Sequence, residues 1–364
     1  MICQYFKRCG GCATQHIPYE VQLENKRKRV ESLLKFPVST IIPSSPFHYR
    51  NRMEFIFFNG GIGLRRMKQG SIDIEECPIA DEMINVLLDE VRNEFKCVDA
   101  FNPSTKKGMY RYLVIRSTPT DSSISFVLNS DSAHRGLAME KIKAFQTTAT
   151  NVIVTFVPSE NDDCYSSDFT VIKGEDMLHE TILTKKIQFS VQGFFQNNSS
   201  LQEQMHQYVR SLLESSSQKN AHLLDLYAGV GTFGIINADL FSAVTILERD
   251  EGCIKAATIN VRQNKIKNAV IFSKDAKHLP ILKKPLFVIT DPPRTGMVPK
   301  TIDLLNKSSP ELIIYISCNI EQGTKDIKKF KQYSLKSVAV FDFFPQTNHC
   351  EVVMELVMKN FQKS

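Results

Sequence analysis

From about residue 192 onward, short apolar runs that read as buried strands alternate with helical stretches, and this alternation constrains the fold more than any other feature of the chain. Strands that succeed one another through helices must pair in parallel, with crossovers of one hand. Runs at 222 to 226, 243 to 248, 269 to 273, 285 to 290, 311 to 317, 335 to 343 and 351 to 358 predict a seven-stranded mixed sheet of the α/β class. Only the last two are close enough in sequence to form a hairpin-like pair.

The first half reads differently. Residues 1 to 17 carry three cysteines and little regular pattern, and 18 to 36 predict a charged amphipathic helix with Val21, Val30, Leu33 and Leu34 apolar, ended by Pro37. Between 47 and 190 the pattern is β-rich, with strands at 50 to 58, 110 to 117, 124 to 129, 151 to 157 and 187 to 191 and helices near 81 to 97 and 135 to 147. An antiparallel sheet with flanking helices is the simplest packing. The expected division is a cysteine segment and helix at 1–46, a β-rich α+β region at 47–191 and the α/β region at 192–364; 364 residues suffice for two or three cores.

No apolar run reaches the ~18 residues a membrane helix needs, and the start lacks a secretory pattern, so the expectation is a cytoplasmic protein with no membrane partner. Most of the net charge of +6 falls early: residues 1 to 120 hold 18 Lys and Arg against 13 Asp and Glu, which points to a polyanionic partner. Lys26-Arg27-Lys28-Arg29 reads equally as a solvated helix face or as an RNA contact; Arg50, Arg52, Arg65, Arg66 and Lys68 stand on or beside expected strands.

The first α/β strand runs into Asp225-Leu226-Tyr227-Ala228-Gly229-Val230-Gly231-Thr232-Phe233-Gly234, a glycine loop opening a helix. Gly229, Gly231 and Gly234 fit the dinucleotide fingerprint, so a nicotinamide dehydrogenase competes as a reading. Asp225 argues against it, because a carboxylate ahead of the glycines repels a pyrophosphate and suits a cationic methionine moiety. Glu248, closing the second strand, can accept both ribose hydroxyls in either cofactor. Asp275, after the third, either faces an adenine amino group or is a surface aspartate.

The fourth and fifth strands end in Asp291-Pro292-Pro293-Arg294 and Ser317-Cys318-Asn319, at the sheet edge where α/β folds bind ligands. His349-Cys350-Glu351 precedes the last strand. If that strand is antiparallel, Glu351 returns to the same edge and faces Cys318. A thiol with a carboxylate suits methylation at C5 of uracil: a thiolate adds at C6 to make C5 nucleophilic, and the carboxylate removes the C5 proton afterwards. The competing readings are a Cys318 that merely packs against its strand and Cys350 as nucleophile. Cys97, Cys164 and Cys253 read as structural, and His349 as a loop-orienting residue.

Nine cysteines in a reducing compartment are better read as ligands or nucleophiles than as disulfides. Cys3, Cys9 and Cys12, with Gly10-Gly11 between the last two and Cys77 as a remote fourth, resemble iron–sulfur spacing more than the paired knuckles of structural zinc. Zinc and unliganded thiols stay open on spacing alone.

With these motifs, Tyr49-Arg50-Asn51-Arg52 and Phe194-Phe195-Gln196, the chain resembles the RNA uracil-5-methyltransferase family over nearly its whole length, and particularly the iron–sulfur branch acting on 23S ribosomal RNA. The resemblance implies a Rossmann-like class I methyltransferase domain after an N-terminal iron–sulfur, β-rich α+β domain. It implies S-adenosylmethionine as methyl donor, a 4Fe–4S cluster on Cys3, Cys9, Cys12 and Cys77, Cys318 as nucleophile and Glu351 as proton acceptor. Gln196, Tyr227, Glu248 and Asp291 fall at the family's cofactor positions, as do Thr232 and Asp275, beside the Asp225 and Gly229 loop. Phe194 and Phe195 are expected to stack on a flipped base. The implied partner is ribosomal RNA, with transfer RNA as the alternative substrate, and the implied state a monomer; a non-catalytic RNA-binding iron–sulfur protein is the distant alternative. Many relatives begin with a small RNA-binding barrel, whereas here Cys3 stands at the start, so RNA affinity is expected from elsewhere.

Overall fold

Residues 2–95, 97–216, 220–279 and 282–359 are described by the computed structural model. Residue 1, residue 96 of the expected 81–97 helix, and residues 217–219, 280–281 and 360–364 of the expected C-terminal region lie outside the described residues. The chain forms two units: one takes the segment up to Ile17, Ser45–Glu180 and Phe189–Ser199, the other Pro18–Ser44, Thr181–Gln188 and the segment from Ser200 onward. These bounds differ from the expected ones at 46 and 191. Thr40–Ile42 is a short strand that pairs in parallel with Tyr333–Phe341, so the helix before it belongs with the α/β sheet and not with the cysteines.

In the second unit the strand order is Thr40–Ile42, Tyr333–Phe341, Glu351–Met358, Leu312–Ser317, Leu286–Thr290, His222–Leu226, Ala243–Glu248 and Ala269–Ser273. The sheet thus has eight strands where seven were expected; three residues of β-branched type, Thr40, Ile41 and Ile42, are too short a run to announce a strand by pattern. All pairs are parallel except those of Glu351–Met358, which runs antiparallel to both neighbours. Leu286–Thr290 and Leu312–Ser317 are buried at every position, as central strands covered on both faces must be. The Tyr19–Leu34 helix closes at Lys35, which takes the left-handed conformation two residues before Pro37.

The first unit holds a seven-stranded sheet ordered Ser71–Asp73, Gly61–Arg65, Arg52–Phe58, Tyr110–Ser117, Ser122–Asn129, Asn151–Val157 and Phe169–Lys173. It is not wholly antiparallel as expected: Ser122–Asn129 and Asn151–Val157 pair in parallel, because the Arg135–Ala144 helix between them carries the chain back to the starting edge. Arg52–Phe58 buries alternate residues, among them Met53, Phe55 and Phe57, while Tyr110–Ser117 and Ser122–Asn129 are buried throughout. A core of Phe57, Phe95, Tyr110, Phe126 and aliphatic neighbours extends to Tyr5 and Cys77, and Cys3, Cys9 and Cys12 pack against it.

Candidate active site

In the second unit the parallel strands all end at one edge, and the antiparallel Glu351–Met358 begins there. His222–Leu226 lies between Leu286–Thr290 and Ala243–Glu248, the point where strand order reverses and α/β sheets bind their ligands. Asp225, Glu248, Asp275, Asp291, Cys318 and Glu351 therefore share an edge although 126 positions separate the first from the last.

The glycine loop is held from below. Asp225 is buried, and its Oδ2 accepts a hydrogen bond of 2.8 Å from the Gly234 N–H, so it braces the start of the Thr232–Ile236 helix. Burial pushes its carboxyl up to about 8, with Asp291 and Glu248 adding repulsion. In this arrangement Asp225 shapes the loop from inside. Gly229 has φ of 54°, and a side chain there would meet no atom within 4 Å, so the position faces open space as a cofactor cradle requires. The Gly229 N–H donates to Glu248 Oε2 at 2.9 Å, while Glu248 Oε1 accepts from the N–H groups of Arg249 and Asp250 at 2.7 and 2.9 Å. Glu248 is thus fixed at its strand end, where it can reach a ribose. Tyr227 follows with φ of 57°, and burial raises its phenol; Thr232 is buried at the helix start. Asp275 accepts from the Lys277 N–H at 3.0 Å and sits 3.5 Å from Arg249, contacts that lower its carboxyl, the backbone bond foremost.

The sheet register decides where the reactive pair stands. Ser317 is the register partner of Val352, so the next step along both strands sets Cys318 opposite Glu351. Glu351 is buried and its carboxyl lies well above the usual range, through loss of solvent first and the Asp291 charge second, with Arg294 opposing. Asp291 is raised by burial as well. The half-buried Cys318 thiol is pushed up to about 12 by burial, then by Glu351 and Asp291, again with Arg294 opposing. Three acidic groups thus influence one another with a single arginine against them, a donor set that a sulfonium cation would relieve.

Several residues that hold this pair have no motif to reveal them. The Ser317 hydroxyl donates to the Asn319 carbonyl at 2.8 Å, and Asn319 caps the Ile320–Ile327 helix while its Nδ2 donates to the Arg294 carbonyl at 3.1 Å. On that helix the fully buried Asp326 accepts from Met297 N–H at 2.8 Å, Tyr315 hydroxyl at 2.9 Å, Gln322 Nε2 at 3.1 Å and Lys329 Nζ at 3.0 Å. It ties the turn after Asp291 to the helix after Cys318. Gly296, with φ of 80°, lets that turn approach, since a side chain there would come within 2.3 Å of Asp326 Oδ2. On the other side, the Tyr19–Leu34 helix grips the loop before Glu351. Gln22 and Gln346 exchange bonds of 3.0 Å, and buried Lys26 reaches Asp342 at 2.5 Å and the Phe344 carbonyl at 3.1 Å. Arg29 donates to the Asn348 carbonyl at 2.8 Å and to Glu321 at 2.5 Å. Arg27 donates to the Val38 carbonyl, and exposed Lys28 lies beside Glu24 on the same helix, so the run divides between internal contacts at Lys26 and Arg29 and a solvated position at Lys28. His349 lies 3.5 Å from Arg294 and is lowered by burial and then by that charge, in keeping with a loop-orienting residue.

In the first unit, Asn51 Nδ2 donates to the Gln196 carbonyl at 3.1 Å and the Ser199 hydroxyl at 2.9 Å. The fully buried Arg116, lowered to about 9 by burial, donates to the carbonyls of Ser190, Val191 and Gly193 and lies over the Phe189 ring. Phe195 stacks on Phe189 with centroids 3.8 Å apart and is 5% exposed, whereas Phe194 is 73% exposed. Phe195 is therefore a packing residue, and only Phe194 of the expected pair is open to stack on a base.

The four motif cysteines also lie in the first unit, around one cavity of about 620 Å³ that Gly10, Gly11, Arg50, Arg65 and Arg66 help to line. Backbone N–H groups of Tyr5 and Gly11 point at the sulfurs of Cys3 and Cys9 at 3.4 Å each. Asn85 fixes the Cys77 backbone through bonds of 2.8 and 3.1 Å. Burial pushes Cys12 up to about 12 and Cys77 up to about 11, with neighbouring thiols adding to both. Among the described residues, no three His, Cys, Asp or Glu side chains converge closely enough to hold a single metal ion. Cys164 lines the same cavity, and Cys350 is buried. Among the described residues no helix is long and apolar enough to cross a membrane.

The family model for tRNA (uracil-5-)-methyltransferases matches residues 18–280 and 283–359. A tRNA (uracil(54)-C(5))-methyltransferase of Pyrococcus horikoshii is 30% identical over 360 residues, covering 98% of this chain and 85% of its own. An uncharacterized RNA methyltransferase of Thermotoga maritima is 32% identical over 372 residues, covering 98% and 84%. The crystal structure of the Pyrococcus abyssi tRNA (uracil-54, C5)-methyltransferase in complex with S-adenosyl-L-homocysteine superposes with a TM-score of 0.82 at 28% identity, over 95% of this chain and 86% of that one.

Proposed function

From the premise that the chain belongs to the tRNA (uracil-5-)-methyltransferase family, and is an S-adenosylmethionine-dependent RNA uracil-5-methyltransferase, we propose that Cys318 is the nucleophile and Glu351 the base. The observation that carries this reading is the antiparallel register that sets the two opposite each other at the ligand-binding edge. The Cys318 sulfur bonds to C6 of the uracil, and the ring electrons move toward O4 and C5. S-adenosylmethionine supplies the methyl group, which C5 takes as the sulfonium bond breaks. Glu351 then removes the C5 proton, and the Cys318–C6 bond breaks to restore the aromatic ring. A sulfonium bound near Cys318, Asp291 and Glu351 would lower all three acids, so that the thiol proton leaves to solvent before attack and Glu351 is ionised to take the C5 proton.

Gly229, Tyr227, Thr232, Glu248, Asp275 and Asp291 would hold S-adenosylmethionine; Asp225 would act through the loop it braces. The first unit would dock RNA, with the exposed Phe194 as its stacking ring. The substrate we infer is a transfer RNA, because the Pyrococcus relatives are named as methyltransferases of uracil 54 of tRNA. Ribosomal RNA, expected from sequence, is the outcome that would replace it. Cys3, Cys9, Cys12 and Cys77 fit a 4Fe–4S cluster: four thiols surround a cavity without meeting at a point, and N–H groups point at two sulfurs, as suits a polynuclear centre. Such a cluster would supply structural cross-linking of the cysteine segment to the strands around it.

The test is Glu351→Gln with radiolabelled S-adenosylmethionine and total RNA from a strain lacking the gene. A labelled, nuclease-sensitive protein–RNA band should persist on denaturing gels; normal turnover rejects Glu351 as base. Mapping the wild-type label by size class decides the RNA.

A further inference from the structure

The Tyr19–Leu34 helix presents Gln22, Lys26 and Arg29 at the four- and three-residue spacing that places side chains on one face. All three engage the loop that leads into Glu351. Arg29 differs from the other two in reaching a second element. One guanidinium nitrogen donates to the Asn348 carbonyl at 2.8 Å, three residues before Glu351, and the other to the Glu321 carboxylate at 2.5 Å, three residues after Cys318. The strand register fixes Cys318 and Glu351 from the sheet side. Glu351 opens its strand as the partner of Phe341, while Cys318 stands just past the end of its own; there Arg29 joins the loop before Glu351 to the helix that follows Cys318.

We propose that Arg29 is a positioning residue that sets the separation between the nucleophile loop and the base loop, so that Glu351 reaches the C5 proton of the adduct formed at Cys318. This rests on the assignment of those two residues made above. Arg29 and Glu321 keep 42% and 48% of their side-chain surface exposed, so their ion pair adds little to folding stability and its loss acts through geometry. Two donors of a planar guanidinium fix direction as well as distance, which a flexible ammonium does not. Small displacements of a proton acceptor matter: an error of about 1 Å can cost roughly a hundredfold in rate.

The experiment compares Arg29→Ala, Arg29→Lys and Glu351→Gln with the wild-type chain, on total RNA from a strain lacking the gene and radiolabelled S-adenosylmethionine. Arg29→Ala should lower turnover about 10- to 100-fold while the KM for S-adenosylmethionine changes by less than about twofold. The labelled, nuclease-sensitive protein–RNA band should accumulate above the wild-type level, as in Glu351→Gln, and Arg29→Lys should fall between. Turnover within about twofold of wild type, or a loss of turnover without the band, overturns the role of Arg29. If Glu351→Gln itself yields no band, the base assignment fails first and takes this proposal with it; if Glu351→Gln yields the band and Arg29→Ala does not, only this proposal fails.

Discussion

Cys12 and Cys318 are both pushed to about 12 by burial, yet the two regions that hold them differ in what surrounds the sulfur. Around Cys12 the repelling neighbours are Cys77, Cys9 and Cys3, thiols like itself, with Gln15 the stabilising contact. Around Cys318 they are carboxyls, Glu351 and Asp291, with Arg294 opposing. A ring of thiols can lose its protons together only to a multiply charged cation. A thiol beside carboxyls and an arginine is arranged for protons to move one at a time. The same residue type thus meets thiols in one unit and carboxyls in the other, and the proposed roles of ligand and nucleophile rest on that difference.

The sharpest way to break the comparison is Cys318→Ala. Methylation should fall at least about a thousandfold, and 5-fluorouridine RNA should no longer form a covalent species, while iron and sulfide content stay at the wild-type level. A variant that still traps the fluorinated RNA would return Cys350 to contention. Cys77→Ser is the complementary test after anaerobic purification. Iron and sulfide should drop below about half of wild type, with S-adenosylmethionine affinity, measured by calorimetry, within about twofold; zinc without sulfide in the wild-type chain would remove the contrast altogether. The smallest effect is expected at Asp225. Its carboxyl, raised from 3.8 to about 8, favours the folded state most when protonated, so its contribution is present at low pH and is lost as pH climbs through that interval. Asp225→Asn keeps an acceptor for Gly234 without the charge. Melting curves between about pH 5 and about pH 9 should show the variant gaining a few degrees on the wild type as pH rises. A constant gap across that range would mean the carboxyl is already ionised within the fold.

Strand periodicity made the α/β sheet legible almost residue by residue: 222 to 226, 243 to 248, 269 to 273 and 351 to 358 are strands as read. Buried parallel strands are continuous apolar runs, and such runs are visible in one dimension. Gly61–Arg65, Ser71–Asp73 and Phe169–Lys173 were not read, because their burial is partial and short. In the site, Cys318, Glu351 and Asp291 announced themselves by motif; Asp326 did not, and Lys26 and Arg29 stood out only as part of a basic run whose partners were not readable. Their work is to hold backbone carbonyls, amides and carboxylates hundreds of positions away or across a turn, and such bonds leave no spacing in sequence.

The amino-acid order by itself determined which stretches become strands and helices, which residues carry reactive groups, and that the last strand follows its neighbour closely enough to turn back. Only the tertiary structure decided that Thr40–Ile42 and its helix join the α/β unit, that Phe195 packs inward while Phe194 stays open, and that Lys26 and Arg29 of the basic run brace a loop. The reason is physical: periodicity encodes the environment of a residue relative to its own element. The partner of a buried charge is chosen by which elements meet, and that is fixed only when the sheet closes around its neighbours.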